Sequence, residues 1–225
     1  MEIMIVQALR KDLLRPAARD FRFLLSRGYP RKSALLFVGN HFQLHQEERD
    51  LLYRGVFTKE QCMARYAKIV RLGTIKGEKL IIDGHNVFIT LESAIKRKPM
   101  LLADDNFVRD ISRIFRRFRP TDRTKTAWAL VEGLLSDYPP CHVTVLLDAP
   151  LPKSGELAAR IRQWMKYAKI KGDVTTATRP ESSLLALEGI KASADSVIID
   201  RSSRVFDLAG HIIRRRLHIK PMLIP

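Results

Sequence analysis

The sequence predicts an α/β protein in which a small all-helical segment leads into a mainly parallel sheet with helices on both faces. Three observations carry this. Short apolar runs recur at Lys79–Asp83, His142–Asp148, Asp173–Ala177 and Ser196–Asp200, as in strands buried on both faces. Amphipathic stretches of helical period separate them, which is the alternation of a parallel sheet with crossover helices. Before Gly77 the chain reads only as short helices.

Asp20–Arg27 continues an apolar helical pattern that Gly28-Tyr29-Pro30 breaks. Lys32–Val38 is the next helix; Pro30 suits a first helical turn, where its missing N–H costs nothing, and Gly39-Asn40 is the stop. Gln46–Arg54 is a third, ended by Gly55. Thr58 and Gln61 have the spacing of a capping box, in which each side chain satisfies an orphan amide of the other. Met63, Tyr66, Ala67 and Val70 continue at helical spacing. Gly73–Gly77 is the expected linker, dividing a helical domain at 1–77 from an α/β domain at 78–225. In the second domain Phe107, Val108, Ile111, Ile114, Phe115 and Phe118 mark one helix. Ala127, Leu130, Val131, Leu134 and Leu135 mark another, and Leu157, Ile161, Trp164, Met165 and Ala168 a third, opened by Ser154. Pro221–Ile224 is expected as an edge strand.

The charge balance narrows the function classes. The 225 residues hold 40 Lys and Arg against 24 Asp and Glu, a formal net charge of +16 and a pI near 10.2. Such a surface attracts polyanions, and nucleic acid is the leading partner. A hydrophobic content of 46% is enough for a packed core and excludes wholesale disorder. No apolar run reaches 18 residues, so no membrane span is expected. The first residues carry Glu2 early and their cations late, the wrong order for a secretory signal. Cys62 and Cys141 lack the paired spacing of a disulfide framework or zinc site. A cytoplasmic location is expected.

Three of the four apolar runs end in aspartate: Asp83, Asp148 and Asp200. Parallel strands deliver their C-terminal ends to one edge, where ligands bind at the reversal of strand order. Carboxylates gathered there repel unless a cation sits between them, and hard cations such as Mg²⁺ or Mn²⁺ prefer oxygen ligands. Each aspartate alone reads more readily as a helix cap or turn residue than as a ligand; three at one edge point to a site. Asp83-Gly-His-Asn86 is the most specific local signal, with Asn86 placed to orient the Asp83 carboxylate or to bond a phosphate. His85 reads as a polar turn residue. Arg109, Arg113 and Arg116 share a helical face with Arg117 beside them, and Arg214 and Arg215 form a second cluster. Such faces track a phosphate backbone or are simply solvated. Ser154, with the amides of the helix it opens, is either a phosphate site or an N-cap.

Leu80-Ile-Ile-Asp83-Gly-His-Asn86-Val resembles the first strand of PIN-like and NYN-type ribonuclease domains, which ends in D-G-x-N. Thr144-Val-Leu-Leu-Asp148-Ala and Ala194-Asp195-Ser-Val-Ile-Ile-Asp200 resemble later strands of such domains that bear further metal-site aspartates. The whole chain resembles an uncharacterised, mainly archaeal family in which a helical domain of unknown function (number 434) is fused to a PIN-like domain. The resemblance implies a PIN-like three-layer sandwich and a metal-dependent endoribonuclease. Asp83, Asp148 and Asp200 would bind Mg²⁺ or Mn²⁺, with Glu181 as a further acidic member and Asn86 orienting them. The implied partner is RNA, with DNA as the alternative; oligomeric state stays open. Two departures keep a second reading open, a non-catalytic nucleic-acid-binding protein on the same scaffold. Ile198-Ile199 stands where relatives carry serine before the late aspartate, and the acidic residues expected after the third strand thin to Glu181. Asp195, read as preceding a strand, is expected to cap or turn at the opposite edge.

Overall fold

The computed structural model describes residues 9–111 and 120–224. Among the described residues the N-terminal region has four helices, α1 (Lys11–Ser26), α2 (Arg31–His41), α3 (Gln46–Gly55) and α4 (Lys59–Tyr66). Leu14, Ala17, Ala18 and Phe21 of α1 lie on one stripe and pack with Ala34, Val38, Leu51 and Leu52. The predicted helices are present but longer than the pattern suggests. α1 runs on through Pro16, and Gly39 lies inside α2, with the Arg49 guanidinium seated against its Cα. A glycine that sequence alone reads as a stop is therefore helical here. The Thr58–Gln61 capping box forms as predicted, with both reciprocal bonds made. The expected linker is a packed 3₁₀ turn, Leu72–Ile75, whose Ile75 is fully buried in the main core.

The rest is an α/β unit with a five-stranded, all-parallel sheet. Its strands are β1 (Lys79–Asp83), β4 (His142–Asp148), β5 (Gly172–Ala177), β6 (Ile190–Ala192) and β7 (Val205–Phe206), in the order β5-β4-β1-β6-β7. Six helices accompany it within the described residues: α5 (Gly84–Ile95), α6 (Asp122–Asp137), α7 (Ser154–Tyr167), α8 (Pro180–Ala186), α9 (Ser196–Arg201) and α10 (Leu208–Arg215). Alternate residues of β1 face opposite ways, as the two-residue strand period requires. Leu80 and Ile82 join the core formed with α5, α6, α7 and α10, whereas Ile81 joins Leu146 and Leu184 beneath α8. Both faces are therefore covered, which is why β1 reads as an unbroken apolar run. A second, three-stranded sheet sets β2 (Met100–Leu102) between antiparallel β3 (Val108–Asp110) and parallel β8 (Met222–Leu223). Its Leu101 and Met222 pack into the core of the N-terminal helices.

Two expectations are corrected. Ser196–Asp200 is not a strand but the helix α9 (Ser196–Arg201). The Asp195 carboxylate accepts the N–H groups of Val197 and Ile198 and caps a helix, and a five-residue apolar run by itself does not distinguish a strand from a buried helix. The helix expected from Phe107 onward is absent through Asp110: Val108–Asp110 is β3, and 112–119 lie outside the described residues. Pairing with β2 overrides the helical spacing there.

Candidate functional site: an acidic crevice at the strand C-termini

The strand order reverses between β1 and β6, since β4 and β5 extend the sheet to one side of β1 and β6 and β7 to the other. Ligands of parallel sheets bind at this point. There a crevice of about 200 Å³ is lined by Asp83, Asn86, Asp148, Pro180, Glu181, Leu184, Asp195 and Ile198. Sequence reasoning anticipated Asp83, Asn86, Asp148 and Glu181 of these; it placed Asp195 at the wrong edge and Asp200 in the set.

Asp83 ends β1, and Gly84 starts α5 at once because β4 passes so close that a side chain would meet Leu147 and the Leu146 carbonyl. The segment after β6 is tied to this turn. Ser193 Oγ donates to Asp83 Oδ2 at 2.7 Å, and the Asp195 N–H donates to Ser193 Oγ at 3.1 Å. The Ala194 N–H donates to Asn86 Oδ1 at 3.0 Å. Asp83-x-x-Asn86 and Ser193-x-Asp195 are thus clamped together although 110 residues separate Asp83 from Ser193. Burial pushes the Asp83 carboxyl up to about 7; the Ser193 hydrogen bond opposes this, and the charges of Asp148 and Asp195 add to it.

His85 is buried, and its Nδ1 accepts the Asp148 N–H at 2.9 Å. Because Nδ1 serves as acceptor it holds no proton, so its 3.5 Å approach to Asp148 Oδ1 is not an ion pair. The histidine fixes the end of β4 instead. Ser154 belongs to the same scaffold. It is buried, and its hydroxyl donates to the carbonyls of Asp148 and Leu151 at 2.6 and 2.7 Å, so it shapes the turn after β4 instead of facing a phosphate. Glu181 sits exposed in the first turn of α8, after Pro180 at the helix start.

Asp200 does not line the crevice. It lies on α9, and both its oxygens accept from Arg65 of α4, each at 2.7 Å. Arg65 is buried, bonds Asp105 at 2.6 Å and stacks 4.1 Å from the Phe57 ring centroid. Arg109 was expected on an exposed basic helix. It is instead a buried residue of β3 that grips Asp105 twice and donates to the Ala194 carbonyl at 3.0 Å. Asp105 is fully sheltered; burial would raise its pKa, but the hydrogen bonds and charges of Arg109 and Arg65 outweigh this and lower it. Arg214 bonds Asp207 and the Gly210 carbonyl, and Arg215 is exposed at the end of α10. Arg113, Arg116 and Arg117 lie outside the described residues. Asp195 was missed because a β-branched run drew the Ser-x-Asp pattern one element too far. The signal was present in Ser193-Ala-Asp195 itself, directly after the short run Ile190–Ala192.

Among the described residues no three His, Cys, Asp or Glu side chains converge closely enough to hold a metal ion as placed. No helix there is long and apolar enough to cross a membrane.

A family model described as a domain of unknown function (DUF5616) matches residues 72–211, and a model described as a protein of unknown function (DUF434) matches 13–68. An uncharacterised protein of Methanocaldococcus jannaschii is 34% identical over 199 residues, covering 88% of this chain and 95% of the relative. No solved structure matches. A model spanning most of the α/β unit, together with a relative that runs nearly end to end, shows that the chain belongs to the DUF5616 family and carries a DUF434 region at its N-terminal side.

Proposed function

We propose that this protein is a PIN-like, metal-dependent endoribonuclease whose active site is the crevice at the C-terminal ends of β1 and β4. The observation that carries the reading is the gathering of Asp83, Asp148, Glu181, Asp195 and Asn86 in one crevice at the reversal of strand order, in a chain of net charge +16. Basic surfaces hold a polyanion, and an acidic notch accepts the cation that the phosphate also needs. The donors are all hard oxygens, and Asp83 is raised first by burial and then by the charges of Asp148 and Asp195, the part that a cation would relieve. Asp83, Asp148 and Asp195 would hold Mg²⁺ or Mn²⁺, with Glu181 at the rim; Asp200 leaves the set because Arg65 already occupies it. A bound divalent cation supplies positive charge against the phosphate oxygens and acidifies water.

The chain's own residues do the rest. Asp83 is held in orientation by the Ser193 hydroxyl, which fixes the carboxylate that would face the cation. Asn86 uses its carbonyl on Ala194, leaving its amide N–H groups to donate to a phosphate oxygen. His85 fixes the backbone of Asp148.

The test is cleavage of labelled RNA with Mn²⁺, Mg²⁺ or EDTA. Cleavage is expected with either metal and is expected to fall by at least about 100-fold in Asp83→Asn and Asp195→Asn, while Asp200→Asn stays active. Inert wild type, or unchanged cleavage in the first two variants, overturns the reading. Because the carboxylates as placed do not converge on one point, the second reading is a binding scaffold without turnover. It predicts RNA affinity with no cleavage under any metal.

A further inference from the structure

We propose that the helical region carries a second site, a stacking platform for a single-stranded polynucleotide in the pocket between α1 and the start of α4. The pocket, of about 260 Å³, is lined by Arg19, Arg22, Phe23 and Ser26 of α1 and by Lys59 and Glu60 of α4. The α1 residues follow the i, i+3, i+4, i+7 spacing of one helical face, a different face from the Leu14–Ala17–Ala18–Phe21 stripe that fills the core. Phe23 is therefore not a core residue that failed to bury. The residue is 56% exposed, and the Arg27 guanidinium lies 5.2 Å from its ring centroid.

α4 extends the surface. Met63 and Tyr66 stand four and seven residues after Lys59, on the same helical face, and are 63% and 67% exposed. Seven of the eleven large exposed hydrophobic residues among those described fall between Phe23 and Tyr66, so the exposure is concentrated on this region instead of scattered. α4 is also the helix that Arg65 bolts to α9, and α9 supplies Ile198, with its cap Asp195, to the crevice wall.

The charge decides what the platform takes. Residues 9–68 hold thirteen Lys and Arg against six Asp and Glu. Arg22 is engaged with Asp104, whereas Arg19 and Lys59 make no ion pair among the described residues, and Glu60 is the one carboxylate lining the pocket. Exposed rings flanked by cations match alternating bases and phosphates: each base stacks on a ring, and each cation releases counterions from the backbone. A purely apolar protein partner would have no use for the cations, and an acidic peptide no use for the rings. The proposal rests on the nuclease reading only for the ligand's class, because binding is measured where no cleavage occurs.

The experiment is fluorescence anisotropy of a labelled oligouridylate of about 12 nucleotides with the full chain in EDTA, from about 50 to 200 mM salt. Wild type is expected to bind with a steep salt dependence. Phe23→Ala with Tyr66→Ala is expected to weaken binding about 10-fold at every salt concentration without changing the slope. Lys59→Ala is expected to lower the slope by about 1. All three side chains are exposed, so unchanged thermal unfolding confirms that the variants fold. Absence of wild-type binding, or wild-type affinity in the double variant, overturns the platform whether or not the crevice cleaves RNA. Competition by polyglutamate as effective as by unlabelled oligouridylate overturns it in favour of an acidic peptide.

Discussion

Asp83 sits where ionisation is expensive: among neighbouring carboxylates, at the floor of a crevice, with its carboxyl raised to about 7 by burial first and by Asp148 and Asp195 as well. An unfolded aspartate titrates near 3.9. The folded state therefore binds the proton more tightly, and the stability this adds is complete below about pH 4 and lost as pH rises toward 7. Asp83→Asn keeps an oxygen to accept from Ser193 and removes the charge. Without divalent cations this variant is expected to be more stable than wild type at pH 8, by about 1–3 kcal/mol, and equal to it near pH 4. Urea midpoints across that pH range measure the difference; equal midpoints at pH 8 would show that the carboxylate is not strained.

At the scale of elements, α9 depends on α4. Arg65 grips Asp200 with two nitrogens, and Lys68 Nζ donates to the Ile199 and Asp200 carbonyls at 3.1 and 2.6 Å, placing cations where the helix C-terminus is negative. Arg65→Met is expected to cost about 3 kcal/mol, since it removes a buried charge from between Asp105 and Asp200. Asp200→Asn is expected to cost at most about 1 kcal/mol, because that carboxylate is half exposed. Denaturant titration of both variants separates the two, and equal losses would contradict this hierarchy. Thr58→Ala is expected to remove about 1 kcal/mol through loss of the α4 cap, again read by denaturation.

For the whole molecule, the helical region and the α/β unit are expected to unfold together. Leu101 of β2 is fully buried among residues of α1 and α3, Ile69 bridges to Val205, and Arg22 reaches Asp104. One transition by both near- and far-ultraviolet circular dichroism is expected, and two separated transitions would refute a shared core. The sequence by itself determined the parallel sheet, three of its strands, the helices α6 and α7, the capping box and the Asp83-to-Asn86 pairing at the end of β1, although His85, read there as a turn residue, lies buried in the first turn of α5. These follow from periodicity and from side chains that bond within a few residues of themselves. It left β2, β3, β6 and β7 unread, because each is only two or three residues long and exists through its partner strand. The sequence pattern also could not separate a strand from a capped helix at Ser196–Asp200, nor an exposed arginine from one sunk between two elements at Arg109. Only the tertiary structure decided that Asp195, not Asp200, faces the crevice, because that depends on where β6 ends beside β1 and on which carboxylate Arg65 reaches from another helix.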